Sequence, residues 1–341
     1  METRVMRRAA LVVLSVAIGA VSASRLTPSA GAASDHLVTQ ADMDRWKNDL
    51  SNWGRWGRED QKGTINLITA AKRKQAAALI KEGFAISLAR DGMTEKAIDN
   101  PNPYEDVMTA AGGAMAADRI SVSFHGYAHT HFDALAHHFF KGQMYNGYAQ
   151  QEFVTLESGA TRNSVFNDRD GVFTRAILMD MPRLKGVEYL EPGTPIYVED
   201  LEAWEKKAGV KVSTGDALFI RTGRWVRRAK LGAWDIGRQA AGLDASVIPW
   251  LRQRDVAIIG SEAALSVVPI PASSQITDRD DYLPVHNFVL VTLGMNVIDD
   301  ADLERVSEAA AARRRWEFAV TMAPLPLPRA TGSPINPTAL F

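Results

Sequence analysis

The spacing of apolar positions changes several times along the chain, and each change marks an element. Residues 70–82 carry a helical spacing behind Thr69 and stop at Gly83, which predicts a capped helix. Residues 84–89 alternate apolar and small side chains and predict a strand. Residues 99–118, rich in Asn, Pro, Gly and Ala, predict a loop with at most a short helical turn. Residues 120–131 alternate again, and the period changes at Asp133. Further on, 176–180 predicts a compact strand ending at Pro182, 199–208 an amphipathic helix, and 215–223 a turn, a buried strand and a second turn. Residues 243–254 predict a helix with Asp244 as N-cap and Pro249 inside it, and 256–260 a short buried strand. The apolar runs 286–294 and 318–322 suit helix or strand equally, and 324–341 is rich in proline. Helices and strands alternate irregularly, with no internal repeat and no linker. This predicts the α/β class, a single mixed domain of about 300 residues with loop-rich insertions.

The first residues break that pattern. Arg4, Arg7 and Arg8 precede an apolar run over 9–23, too short for the ~20 residues a membrane span needs. Small residues follow, including Ala30-Gly31-Ala32. This is the layout of a secretory signal over 1–32, leaving 33–341 as the folded domain of an exported protein, periplasmic or secreted, with no membrane attachment after cleavage. Arg7-Arg8 also fits a twin-arginine signal, and the pair alone does not separate the two export routes.

Composition narrows the chemistry. With 341 residues and a formal net charge of −1, the chain has ample length for a core and no basic stripe, so nothing favours nucleic acid or an anionic membrane as partner. The chain contains no cysteine, which excludes disulfides, thiolate metal ligands and a cysteine nucleophile. There is no G-x-S-x-G elbow.

Of the seven histidines, five fall within residues 125–138: His125, His129, His131, His137 and His138. In an extended strand, residues two apart share a face. Positions 125, 127, 129, 131 and 133 then put His, Tyr, His, His and Asp on one side, too many polar groups for an ordinary core face. Asp133 stands at an N-cap-like position before Ala134-Leu135-Ala136, and His137 lies one helical turn on, over the same side. Imidazole and carboxylate without sulfur suit Zn²⁺ or Mn²⁺. A purely structural zinc site is usually closed by four strong ligands and rich in cysteine, which this chain lacks.

The run His131-x-Asp133-x-Leu135-x-His137, preceded by Thr130, resembles the H-x-G-T-H-x-D-x-P-x-H motif of the metal-dependent cyclase family, which holds bacterial kynurenine formamidase and isatin hydrolase. Gly215-Asp216-Ala217-Leu218-Phe219-Ile220-Arg221-Thr222-Gly223 is similar to the family's G-D-x-x-x-x-R-T-G strand. Gly260-Ser261-Glu262, His286, Asp299 and Gly332-Ser333-Pro334 follow in the family's order. Tyr145-Asn146-Gly147 and the long N-terminal part resemble its larger members. The resemblance implies the swivelling β/β/α fold and assembly into dimers or tetramers. It implies His131 and Asp133 as metal ligands, His137 as an acid/base, and His286 with Asp299 completing the site or binding a second ion. The motif's first histidine is Tyr127 here; His125 is the first candidate to replace it and His129 the second. The motif glycine is His129, its proline is Leu135, and Asp299 is shorter than the family's Glu or Gln. Glu262 stands between site and scaffold.

The activity this implies is metal-dependent hydrolysis of an amide, lactam or lactone in a small molecule. A cyclase or lyase of secondary metabolism and a non-catalytic exported metal-binding protein are the alternatives. Trp53 and Trp56, between glycines, are candidates for an aromatic wall as well as for packing anchors, and Arg221 for a substrate carboxylate as well as for an internal ion pair. Arg313-Arg314-Arg315 fits a solvated helix face.

Overall fold

The computed structural model describes residues 36–341, so the expected signal segment 1–32 lies outside the described residues. Nine strands form one sheet: β1 (Ala85–Ser87), β2 (His131–Asp133), β3 (Val172–Asp180), β4 (Ala217–Arg221), β5 (Ile258–Ser261), β6 (Asn296–Asp299), β7 (Glu317–Met322), β8 (Gly332–Pro334) and β9 (Thr338–Leu340). Their spatial order is β1-β9-β7-β3-β4-β5-β6-β2-β8. The central run β3-β4-β5-β6 is parallel, and every other neighbouring pair is antiparallel. β4, β5 and β6 are buried at every residue, which is why they read as short continuous apolar runs rather than alternating ones.

The principal helices are α1 (Gln40–Asp49), α2 (Ala70–Ala77), α3 (Val198–Ala208), α4 (Arg224–Leu231), α5 (Ile248–Arg254), α6 (Pro284–Val291) and α7 (Glu304–Arg313). Thr69 caps α2 by accepting from the Lys72 amide. That helix ends at residue 77, short of the expected 82. Its last amides close tight turns, and the Glu82 and Gly83 amides donate instead to the Phe341 carbonyl at the chain's end. Asp244 caps a short 3-10 turn, and α5 begins only at Ile248, with Pro249 in its first turn, where a missing N–H costs nothing. The ambiguous runs resolve as helix α6 and strand β7. The proline-rich tail supplies β8 and β9.

Three expectations fail around the histidines. Residues 99–118 are not a loop: Glu105–Gly112 and Met115–Ser121 pair as an antiparallel ribbon turning at Gly113-Ala114. Alanine and glycine, poor strand formers, concealed it, although Gly-Gly is a hairpin turn signal. The alternation in 120–131 is not one strand, since the ribbon stops at Ser121 and only His131–Asp133 rejoin the sheet. No helix follows Asp133. A single turn forms, closed by the His137 amide donating to the Ala134 carbonyl, and the Ala136 amide is drawn to Asn163.

One close approach fixes the register of β6, which carries Asp299. Gly63 and Gly294 both have positive φ, at +55° and +63°. A Cβ on Gly63 would overlap the Gly294 carbonyl oxygen, and one on Gly294 would overlap the Tyr145 ring. The Thr64 amide donates to that same carbonyl at 2.8 Å. Gly294→Ala is therefore expected to destabilise by roughly 2 kcal/mol or more, from left-handed strain plus overpacking. Gly54→Ala, at φ +75° but with nothing within 4 Å, carries the strain without the clash. Urea denaturation of the two variants checks this; equal losses would remove the packing argument.

Candidate metal centre

β2 lies between β6 and β8. The β2–β6 register sets His131 opposite Asp299 and Asp133 opposite Val297, so His131, Asp133 and Asp299 share one face of the sheet. Asp133 is completely buried. Its Oδ1 lies 3.0 Å from His125 Nδ1, 3.4 Å from His131 Nε2 and 3.8 Å from His137 Nε2. Its Oδ2 lies 3.2 Å from His286 Nε2, and that nitrogen is also 3.0 Å from Asp299 Oδ2. His286 arrives on the buried helix α6, and the loop before β2 carries His125, whose Nε2 is 3.0 Å from Thr331 Oγ1. His131 Nδ1 bonds the His129 carbonyl at 2.8 Å, which assigns that nitrogen the proton and turns the other towards Asp133.

Apart from the hydrogen bond between His286 Nε2 and Asp299 Oδ2, these atoms crowd without bonding one another. Among the described residues, neither Asp133 oxygen has a hydrogen-bond partner, nor do His125 Nδ1, Asp299 Oδ1 and His286 Nδ1. The ligand atoms of His125, Asp133 and His137 lie within 4.8 Å of one another, and so do those of His131, Asp133 and Asp299. Buried polar groups are normally satisfied, so the two orphaned oxygens of Asp133, with His125 Nδ1 3.0 Å away, mark a candidate cation site. The nitrogen and oxygen set fits Zn²⁺ or Mn²⁺, and the two groups share Asp133, so they can serve one ion or two.

The electrostatics agree. Burial opposes charge on Asp133, but the imidazoles of His137, His131 and His125 hold it well below the usual carboxylate range. Burial also opposes charge on His131, yet Asp133, Asp299 and Asp300 outweigh it and raise the imidazole to about 10. His286 is raised to about 9 in the same way, against burial, by Asp299 and Asp133. The carboxylates therefore draw positive charge to this point. His137 behaves differently: burial pushes it down to about 4, despite Asp133, with the other imidazoles adding to the effect. Its imidazole is thereby held neutral, unlike those of His131 and His286.

His125, His131, Asp133, His137, His286 and Asp299 are thus brought together. His129 is not: its ring is buried on the far side of the loop and lines a separate cavity with Ile120, Val122 and Leu325. The strand-face argument treated His125 and His129 alike because it took the loop for a strand. Trp53 donates from Nε1 to the Val291 carbonyl at the other end of α6, and Trp56 is half-buried under Arg55 against the core; neither is in the group around Asp133. Arg221 is spent on Asp180 and Glu304, an internal ion-pair cluster rather than a substrate contact. Glu262 is scaffold, accepting from the amides of Thr222, Gly223 and Arg224.

Sequence reasoning missed three groups. With a turn rather than a helix after Asp133, the His138 ring lies 4.6 Å from His286 and 4.7 Å from His137. Burial pushes it down to about 2. Tyr282, four residues before His286, has its phenol raised by burial and by the Asp133 charge, so it stays a donor. Asp300, beside Asp299, sits 3.7 Å from His131 Nδ1 and receives Arg224 Nη1 at 2.5 Å. Only nearness in sequence to the motif residues signalled these three.

A family model described as "Putative cyclase" matches residues 90–265. A crystal structure of a novel cyclase is similar at 29% identity and TM-score 0.76, over 86% of this chain and 99% of that one. Isatin hydrolase A from Labrenzia aggregata, bound to benzyl benzoate, shares the fold at 16% identity and TM-score 0.53, over 77% of this chain and 94% of that one. Isatin hydrolase A from Ralstonia solanacearum does so at 18% identity and TM-score 0.51, over 79% and 95%. No curated protein matches the chain.

Asp133→Asn removes the charge shared by both ligand groups, and metal content measured by elemental analysis is expected to fall to background. His125→Ala is expected to weaken metal affinity ~10-fold or more, the size of loss that even ligand-supporting residues show. His129→Ala is expected to leave it unchanged. Equal effects of the two histidine variants would contradict the separation seen here.

Proposed function

The chain belongs to the cyclase family, and from that premise we propose that it is a metal-dependent hydrolase of an acyl C–N or C–O bond in a small-molecule amide, lactam or lactone. The observation that carries this reading is the gathering of His125, His131, His286 and Asp299 around the buried carboxylate of Asp133, with the imidazole of His137, held neutral, beside it. The fold shared with the isatin hydrolases supports it. Those five residues would hold Zn²⁺ or Mn²⁺. The chemistry such an ion supplies when bound is polarisation of a carbonyl and a lowered pKa for water.

The protein's own groups do the rest. His137 Nε2 takes the proton from the attacking water and hands it to the leaving nitrogen or oxygen as the acyl bond to that atom breaks. The His125 ring stacks on His137 at 3.8 Å between centroids and 5° between planes, which holds the base in place. Tyr282, more than half exposed, presents a protonated phenol at the rim, able to donate to a substrate oxygen. No nucleophilic side chain is required, in keeping with the missing cysteine. The N-terminal pattern over 1–32 supports an exported enzyme, and a mature form beginning near Ala33 is what N-terminal sequencing should find.

The test is chelation followed by reloading with Zn²⁺ or Mn²⁺ and a screen of formamides, lactams and lactones by mass spectrometry. Hydrolysis yields products that together are heavier by one water. A product of unchanged or lower mass would instead assign a cyclase or lyase. His137→Ala is expected to keep its metal and lose ~10²–10⁴ in kcat, the usual worth of a positioned acid–base group. Loss of metal in that variant would make His137 a ligand.

A further inference from the structure

His129 stands where the family motif has glycine, and the group around Asp133 leaves it unused. The residue is 6% exposed, and its Nε2 has no hydrogen-bond partner among the described residues. A buried polar atom left bare is costly, so it points to a partner from outside the chain. His129 lines a cavity of about 460 Å³ at the foot of the ribbon, walled by Tyr104, Ile120, Val122, Leu325 and Ile335. None of the six side chains gathered at the metal centre lines it.

The wall's other polar side chains are engaged elsewhere. Ser87 Oγ donates to Asn336 Oδ1 at 2.6 Å, and Thr130 Oγ1 donates to the Asp300 carbonyl at 2.7 Å. Arg90 sends Nη1 to Asp302, 3.0 Å away, and lays its guanidinium on the Trp225 ring; neither partner lines the cavity. Asp91 is exposed to solvent. The cavity therefore offers one hydrogen-bonding anchor among apolar walls, the usual make-up of a small-molecule site. Ile120 and Leu325, 60% and 49% exposed, are wall residues that an apolar body would cover.

The anchor selects the head group. An imidazole nitrogen gives or takes a hydrogen bond according to its tautomer, and a hydroxyl answers either. A charged head would lose its hydration against these walls with a single bond in return, and a carboxylate would also face Asp91. We propose that this cavity is a second binding site, separate from the metal centre, for a small neutral molecule with an apolar body and one hydroxyl, a phenol or alcohol, whose hydroxyl bonds His129 Nε2.

The test is calorimetry on the metal-loaded full chain with 4-ethylphenol, ethylbenzene and 4-ethylbenzoate. The phenol is expected to bind once per chain, roughly 10-fold or more tightly than either of the others, the worth of satisfying a buried polar atom. Removal of the metal by chelation is expected to leave that binding unchanged. His129→Phe keeps a ring but no nitrogen, and is expected to weaken the phenol ~10-fold while sparing ethylbenzene. Leu325→Trp narrows the cavity from an exposed position and is expected to weaken both, with metal content unchanged. A wild-type chain that binds no 4-ethylphenol, or binds ethylbenzene or the benzoate as tightly, would overturn the proposal. So would phenol binding that is lost on chelation, which would place it at the metal centre, or that persists unchanged in either variant. Should His129→Phe fail to fold, Leu325→Trp and the three ligands on the wild-type chain decide.

Discussion

A carboxylate sealed from bulk solvent dominates this structure. Asp133 is fully buried in the sheet between β6 and β8, and an uncompensated charge there costs several kcal/mol even after relaxation. The compensation comes from parts of the chain far apart in sequence: a loop for His125, the same strand for His131, a single turn for His137, helix α6 for His286. Asp299 and Asp300 add further negative charge within the same shell, and burial raises Asp300 to about 7 against the pull of Arg224. The site is built around a surplus of negative charge, which protons or a metal ion must balance.

Arg224 is the fixed cation that keeps this surplus in place. Its guanidinium reaches Asp300, the Glu262 carbonyl and the Tyr127 carbonyl, while Glu262 gathers the amides at the start of α4. At the other end of β4, Asp216 pairs with Arg175 and Lys72. The stretch Gly215–Gly223 therefore anchors β4 at both ends. Its conspicuous charges serve the scaffold, and Arg221 is held by Asp180 and Glu304 rather than offered to a ligand.

The parts legible in the sequence were those governed by short-range pattern. Buried parallel strands such as β3, β4 and β5 show as compact apolar runs, and the amphipathic helix α3 shows its period. Convergence of His131, Asp133 and His137 needed only i+2 and i+4 proximity, which survives although the expected helix does not form. What was illegible depended on tertiary pull. His125 and His129 are equivalent by spacing, and only the path of the irregular loop 122–130 sends one to Asp133 and the other to the opposite side. His138 joins the cluster because the chain makes a turn instead of a helix, and the ribbon hid in alanine and glycine.

That loop also links the two surfaces of interest. It leaves the ribbon at Ser121, puts Val122 and His129 into the cavity at the ribbon's base, and presents His125 to Asp133 before entering β2. His125 is the most exposed of the groups around Asp133, at 28% of its side chain, and its second nitrogen is held by Thr331 alone. Each backbone residue of this loop fixed on folding costs ~1–2 kcal/mol, so the burial of Ala128 and His129 on one side and the Asp133 contact on the other must offset the ordering of His125. The ligand that the sequence pattern could least specify is thus the one whose position rests on an irregular loop rather than on a strand or helix.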